Sequence, residues 1–313
     1  MNKKLIISVT IIVLSVGVLA LAAGMMYKQK VNAQEPPAPP QTVFYSPVIT
    51  LPQLPDKLEF AGEPVPMKNF EVRERLDREI IVTTFRHGPT ILAYKRANRW
   101  FPDIEEVLKK NNIPDDFKYM ALAESELSEV VSPAGAAGYW QFMEETAKRY
   151  GLTVNDEIDE RYHIIKSTEA ACSYLRNSYS RFNSWTMAAA SYNVGVPNLS
   201  SFIEKQRRAD FYNLHMNQET SRFIFRILSF KLIFSNPETF GIEFRESDLY
   251  KPLKFYEVEV SGTVDSWVDF AEAEGISYKA LRYFNPWIRA ASLKNKAKNT
   301  FYVRIPVNKN LEI

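Results

Sequence analysis

The stretch Pro114-Asp115-Asp116-Phe117-Lys118-Tyr119-Met120-Ala121-Leu122-Ala123-Glu124-Ser125 reads as the opening of an amphipathic helix. A proline at the entry and acidic residues in the first turn suit a helix N-terminus. Phe117, Met120, Ala121 and Glu124 then fall at i, i+3, i+4 and i+7, which places the Glu124 carboxylate on the apolar stripe. An unpaired carboxylate facing a core is costly to ionise, so its pKa moves up. Glu126, two residues on, is expected to point roughly the other way. Taken alone, the pattern also fits a core-edge glutamate bonded to a backbone amide, so acid/base chemistry and a structural role both stay open.

On either side the helical pattern extends from about Met67 to Gly241. Glu71 to Phe85, Thr90 to Phe101 and Asp103 to Lys110 read as helices, the first two separated by Gly88-Pro89. Tyr139 to Tyr150, stopped by Gly151, reads as another, entered through the small-residue turn Ser132-Pro133-Ala134-Gly135-Ala136-Ala137-Gly138. Ser167-Thr168 and Ser184 are capping residue types ahead of two further helices, and a long one runs from about Gln218 to Phe234. From about Leu253 the character changes. Phe255 to Val260 alternates like a strand, Asp265 and Ser277 each open a short helical run, and Thr300 to Val307 reads as a second strand. The expected fold is therefore mainly α, with a helical domain over 67–245 and a separate small α+β module over 253–313.

Among 313 residues, 39 Lys and Arg stand against 37 Asp and Glu, a formal charge of +2. That balance lacks the footprint nucleic-acid binding requires, so nucleic acid is excluded as a partner. Leu5 to Met26 contains no charged residue, a run of about 22 against the ~20 needed to span a bilayer. Residues 1–30 are expected to be a membrane anchor or a signal segment. Val31-Asn32-Ala33 resembles a cleavage site, but the run is longer than a signal core and Lys28 and Lys30 intervene, which favours the anchor. Residues 31–66, with proline clusters at 36-37 and 39-40, are expected to be an extended spacer. Cys172 reads as a buried thiol, with a Cys-His pairing brought about by the fold left open. His87, His163 and His215 are isolated and make no ligand spacing, so no metal and no cofactor are expected.

Ala123-Glu124-Ser125, followed by Ser132 through Tyr139-Trp140-Gln141-Phe142-Met143, resembles the soluble-lytic-transglycosylase-like family. Three further stretches match in that family's order: Asp159-Glu160-Arg161 with Ser167-Thr168 and Ala170-Ala171, then Ala190-Ser191-Tyr192-Asn193-Val194-Gly195, then Glu219-Thr220. The likeness runs over about residues 70 to 245 and is strongest towards the membrane-bound D-type enzymes. It implies a lysozyme-like helical domain that cleaves the MurNAc-GlcNAc β-1,4 bond of peptidoglycan. Most glycosidases use two carboxylates. The resemblance supplies one, Glu124, implied to act as acid and then as base while the muramic C6 hydroxyl attacks internally and leaves a 1,6-anhydro end.

The resemblance also implies sugar contacts for Ser132 and Gln141, a Tyr192 that holds the Glu124 carboxylate or the N-acetyl group, and a groove contact for Glu219. Asn193 belongs to the same substrate-binding set or fixes the turn after its helix. Gly135 and Gly138 would let the backbone approach the glycan, and Asp159, Glu160 and Arg161 would be structural. Leu127, Tyr139 and Val196 depart from the family pattern in ways that bear on substrate fit. The C-terminal module resembles a LysM carbohydrate-binding domain in Tyr256-Glu257-Val258, Ser261-Gly262-Thr263, Gly275-Ile276-Ser277 and Leu281 through Asn285. It is expected to help retention but not chemistry, so a chain ending near Gly241 should still cut. The implied partners are peptidoglycan strands and, through the N-terminal segment, the membrane; no protein partner is indicated. The alternatives are a goose-type lysozyme-like hydrolase and a non-catalytic peptidoglycan-binding scaffold.

Overall fold

The uninterrupted apolar run near the N-terminus propagates a single helix, α1 (Lys3–Val31), in the computed structural model, which describes residues 3–31 and 50–311. Its segment Ile12–Lys30 is long and apolar enough to cross a membrane, and none of it is buried. The proline clusters at 36-37 and 39-40, Pro47 and the cleavage-like Asn32-Ala33 lie outside the described residues.

A second unit starts at Leu51. Its first residues correct the spacer reading of the segment up to Pro66. Ala61 and Gly62, both at positive φ, turn β1 (Glu59–Phe60) back on β2 (Glu63–Pro64). Phe60 is fully buried and lies edge-on to Phe117 at 5.3 Å, and Val65 and Met67 join the same core. Proline content sets backbone stiffness, but it does not decide what a lone phenylalanine can bury, and full burial contributes ~2 to 3 kcal/mol.

Next come α2 (Phe70–Phe85), capped by the Asn69 side chain, and α3 (His87–Lys110). Two expected helices fuse in α3, which continues through Pro102. An interior proline costs ~3 kcal/mol. Burial of Ala93, Ala97, Ile104 and Leu108 along one stripe on both sides of it offsets that. Pro89 falls in the first turn, where its missing N–H is no loss. A short 3₁₀ turn then leads into α4 (Lys118–Ser125), followed by α5 (Glu144–Arg149), α6 (Ile164–Phe182), α7 (Trp185–Val194), α8 (Val196–Gln206) and α9 (Gln218–Ser235).

Helix α4 packs against α3 and α9, burying Met120, Ala121 and Leu122 completely. Ala188, Ala189 and Ala190 of α7 are fully buried, and their small side chains let α6 and α9 come close. The helix expected over 139–150 shrinks to α5, because Gly138 and Gln141 adopt positive φ and Ala137 pairs with Phe142 instead. Helix α6 starts ahead of the expected cap: His163 caps it, and Ser167 and Thr168 bond back to the carbonyls of His163 and Ile164.

Beyond α9, β3 (Phe255–Val260), α10 (Trp267–Ala273), α11 (Tyr278–Phe284) and β4 (Phe301–Pro306) make a βααβ unit, with Phe255 opposite Pro306 and Val260 opposite Phe301. Ser266, one residue after the expected Asp265, caps α10, and Ser277 caps α11. The fold is mainly α, as expected, but the small unit is not separate. Its core takes in Ala137, Ile158 and Tyr162 beside Trp267, Trp287 and Val303. Across the seam Asp159 N donates to Trp287 O and Arg289 N to Glu157 O, both at 2.8 Å. Those apolar residues of the helical domain need a cover, and the small unit supplies it.

Candidate active site

Helix α4 stops at Ser125, whose hydroxyl donates to Tyr139 O at 2.7 Å. Glu126 and Leu127 then both turn left-handed, at φ 51 and 55. Two such residues in succession are strained by ~1 to 2 kcal/mol each. Burial of Leu127 and the grip of two arginines on Glu126 hold them there. Arg86 Nη2 lies 2.9 Å and Arg96 Nη2 3.7 Å from the Glu126 carboxylate, and Arg96 Nε donates to its carbonyl at 2.7 Å. Glu126 therefore lines the same cleft as Glu124, and the expectation that it points away fails because the helix has already ended.

That cleft, about 420 Å³, runs between α2, α9 and the end of α4; beside Glu124 it is lined by Glu79, Thr83, Arg222, Arg226 and Phe230. Among the described residues the Glu124 carboxylate accepts no hydrogen bond. The surrounding protein strips its water although one edge faces the cleft. Desolvation is the main cause of a pKa raised to about 8, with Arg226 pulling it down and Glu219 pushing it up. At neutral pH the group carries its proton and can donate it.

The other expected site residues take various places. Tyr192 donates its hydroxyl to Trp140 O at 2.8 Å and not to Glu124, with its ring edge-on to Phe142 and Tyr174. Burial first, and then the nearby Glu124, hold its phenol well above the usual range. Ser132 Oγ accepts from Ala136 N at 3.0 Å and closes the small-residue turn. Gln141, at φ 49, donates its amide to the carbonyls of Val130 and Gly138. Asn193 Oδ1 accepts from Thr220 Oγ1 at 2.9 Å, tying α7 to α9. Glu219 is exposed in the first turn of α9, close enough for its charge to reach Glu124. Glu124 thus has Tyr192 and Glu219 within electrostatic reach, while Ser132 and Gln141 shape the loop after α4.

Residues 103–215 match the transglycosylase SLT domain. Residues 256–309 match the soluble lytic transglycosylase C-terminal LysM-like domain. Two relatives, both named membrane-bound lytic murein transglycosylase D, come from Escherichia coli strain K12 and Escherichia coli O6:H1; each is 26% identical over 260 residues, which is 80% of this chain and 56% of the relative. The chain thus spans little more than half the length of these relatives. A protein named for tributyltin chloride resistance in Alteromonas sp. is 30% identical over 102 residues, 32% of this chain and 49% of that protein.

Of the two glycines expected to admit glycan, one has its close neighbour within the protein. At Gly138, φ 77, a Cβ would lie 2.0 Å from Arg161 O, so the close approach there is to the protein's own backbone; Gly135, φ 88, faces open space. Asp159 and Arg161 form a buried pair at 2.7 Å, and Arg161 Nη1 donates to Gly135 O and Phe142 O. This cluster is structural, as expected. Cys172 is fully buried and burial pushes its thiol up to about 12, so it cannot serve as a nucleophile.

Arg86, Arg222, Arg226 and Glu79 were not singled out in the sequence. A signal was present for Glu79, which sits i+3 from Leu76 and i+7 from Val72 on the buried face of α2, the register that marked Glu124.

Proposed function

We propose that the chain is a peptidoglycan lytic transglycosylase in which Glu124 is the acid and base. The observation that carries this reading is the Glu124 carboxyl, pushed up to about 8 and lining a cleft of an SLT domain. Protonated Glu124 gives its proton to the glycosidic oxygen as the bond to muramic C1 breaks. The resulting carboxylate then takes the proton of the C6 hydroxyl as that oxygen bonds to C1, which closes a 1,6-anhydro ring and restores the acid. Glu79 and Glu126, which line the same cleft, are engaged by arginines, an arrangement that favours a one-carboxylate route over one with a second carboxylate nucleophile or base. Replacing Glu124 by Gln keeps shape while removing the titratable proton, and turnover should fall ~10² to 10⁴-fold. Mass spectrometry of digested peptidoglycan should find products lighter by one water than hydrolysis products. Reducing ends in the wild-type digest would instead mark a lysozyme-like hydrolase.

The two Escherichia coli relatives are named as membrane-bound, and α1 carries a span long and apolar enough to cross a membrane. We place this chain in the cell envelope, anchored by α1, with the SLT domain on the cell-wall side and the catalytic unit starting near Leu51, not at 67. Protease added to intact spheroplasts should digest residues beyond 50, and protection of the full chain would exclude that topology.

A further inference from the structure

Glu79 is a carboxylate with almost no access to water, 1% exposed, set among cations. Arg222 Nε lies 2.7 Å from one of its oxygens and Arg226 Nε 4.0 Å from the other, and Arg78 donates to it from its own helix. A hydroxyl pair, Thr83 with Ser229 at 3.0 Å, fixes α2 to α9 one turn further along. Arg222 and Arg226 are i and i+4 on α9, and both line the cleft that holds Glu124. Each turns its Nε edge towards Glu79. Among the described residues none of their terminal Nη groups donates to a protein acceptor.

Two guanidinium charges against one buried carboxylate leave this wall with an excess positive charge. Arg86 is engaged by Glu126, which Arg96 also approaches, and Glu219 is a solvated side chain one turn before Arg222. A planar fork held at its Nε edge presents its remaining N–H groups in the geometry that a carboxylate accepts from two donors. Its orientation is set by a buried charge before any ligand arrives, which lowers the ordering cost of binding.

We propose that Arg222, held by Glu79, and Arg226 beside it form a carboxylate subsite next to Glu124 that selects strands carrying a free carboxylate on the muramic substituent. This rests on the peptidoglycan reading above. Two groups there have that chemistry: carboxylates of the peptide stem, and the lactyl carboxylate left when the stem is removed.

The test uses the full chain on four substrates, stem-bearing and stem-stripped strands, each with its carboxylates free or converted to neutral amides. Wild type should prefer the free over the amidated form by about tenfold or more in kcat/KM, chiefly through KM, the worth of one charge-assisted contact. The pair that shows the preference identifies the source. Arg226→Gln leaves the close Arg222–Glu79 contact intact, so folding should survive, and the ratio should fall towards one. Comparing the ratio within one variant cancels any change in Glu124 acidity. Arg226→Lys should keep part of the preference. Equal rates on free and amidated strands by wild type, or a ratio unchanged in Arg226→Gln, overturns the subsite. Co-sedimentation of Glu124→Gln with the same four strands gives the affinity ratio independently of turnover. A chain that binds free carboxylates preferentially yet cuts none of the strands would keep the subsite and overturn the transglycosylase reading alone.

Discussion

Ionising Glu124 in the folded chain means placing a charge where protein has displaced its water. Its pKa of about 8 against 4.5 in the unfolded chain ties stability to pH. Between those values the folded chain holds a proton that the unfolded chain has released, so the contribution is full below about 4.5 and is lost as pH rises through 8. Glu124→Gln has no such dependence. Its stability relative to wild type, read from urea midpoints, should improve from pH 5 to 8 by at most ~1.4 kcal/mol per unit. A difference that stays flat over that range would mean an ordinary carboxyl. This residue was legible because a helix repeats every 3.6 residues and Phe117, Met120 and Ala121 fixed its face. Glu126 was misread for the same reason, since a helical wheel assumes a helix that here has ended in two left-handed residues. The resemblance implies that Tyr192 holds the Glu124 carboxylate or the N-acetyl group, and the carbonyl to which its hydroxyl donates, 52 positions away in sequence, lies beyond the reach of any local pattern.

At the scale of elements, the N-terminus of α7 shows how a distant carboxylate can complete a helix. Ser184 caps it as the sequence suggested, but Glu63 from β2 also accepts from the Ser184 hydroxyl at 2.8 Å, the Thr186 amide at 2.9 Å and the Thr186 hydroxyl at 2.6 Å. Burial works to raise the Glu63 pKa, yet these bonds, with that from the Trp185 amide, hold it below the ordinary carboxylate range. Stability from this group is thus present above the unfolded value near 4.5 and lost as pH falls through the lower folded one. Glu63→Gln replaces an acceptor oxygen by a donor opposite these N–H and O–H groups and should cost ~1 to 2 kcal/mol at pH 7. Because α7 carries Tyr192 and Asn193, activity on glycan should fall along with the melting temperature. An unchanged melting temperature would show that Ser184 caps the helix unaided. None of this was visible in the proline-rich stretch before Met67, because the partners of Phe60 and Glu63 lie far along the chain.

At the scale of the whole second unit, the LysM-like domain and the SLT domain share one apolar seam. Trp287 is 2% exposed, stacks on His163 at 5.8 Å between ring centres, and belongs to the same cluster as Ile158 and Tyr162. Arg289 lies over the Tyr162 ring at 4.5 Å. Burial, then Arg304 and Lys166, depress the His163 pKa to about 3, so the ring stays neutral within the seam. The segment beneath it carries Arg161, which holds the carbonyls of Gly135 and Phe142 and thereby the loop of Ser132 and Gln141. A chain ended at Pro252 keeps Ile242 and Phe244 in the helical core but uncovers Ala137, Ile158 and Tyr162. It should therefore aggregate or, if soluble, show faster amide exchange over residues 130–142 and reduced cutting of soluble glycan fragments, contrary to the reading of the module as a mere retention device. In the full chain, Trp287→Ala should lower stability by ~3 to 5 kcal/mol and raise exchange in the same loop, because it opens a cavity on the side that supports Arg161. Normal exchange and full activity in a soluble chain ended at Pro252 would show that the helical domain supports its own loop. The seam would then serve only to dock the smaller domain.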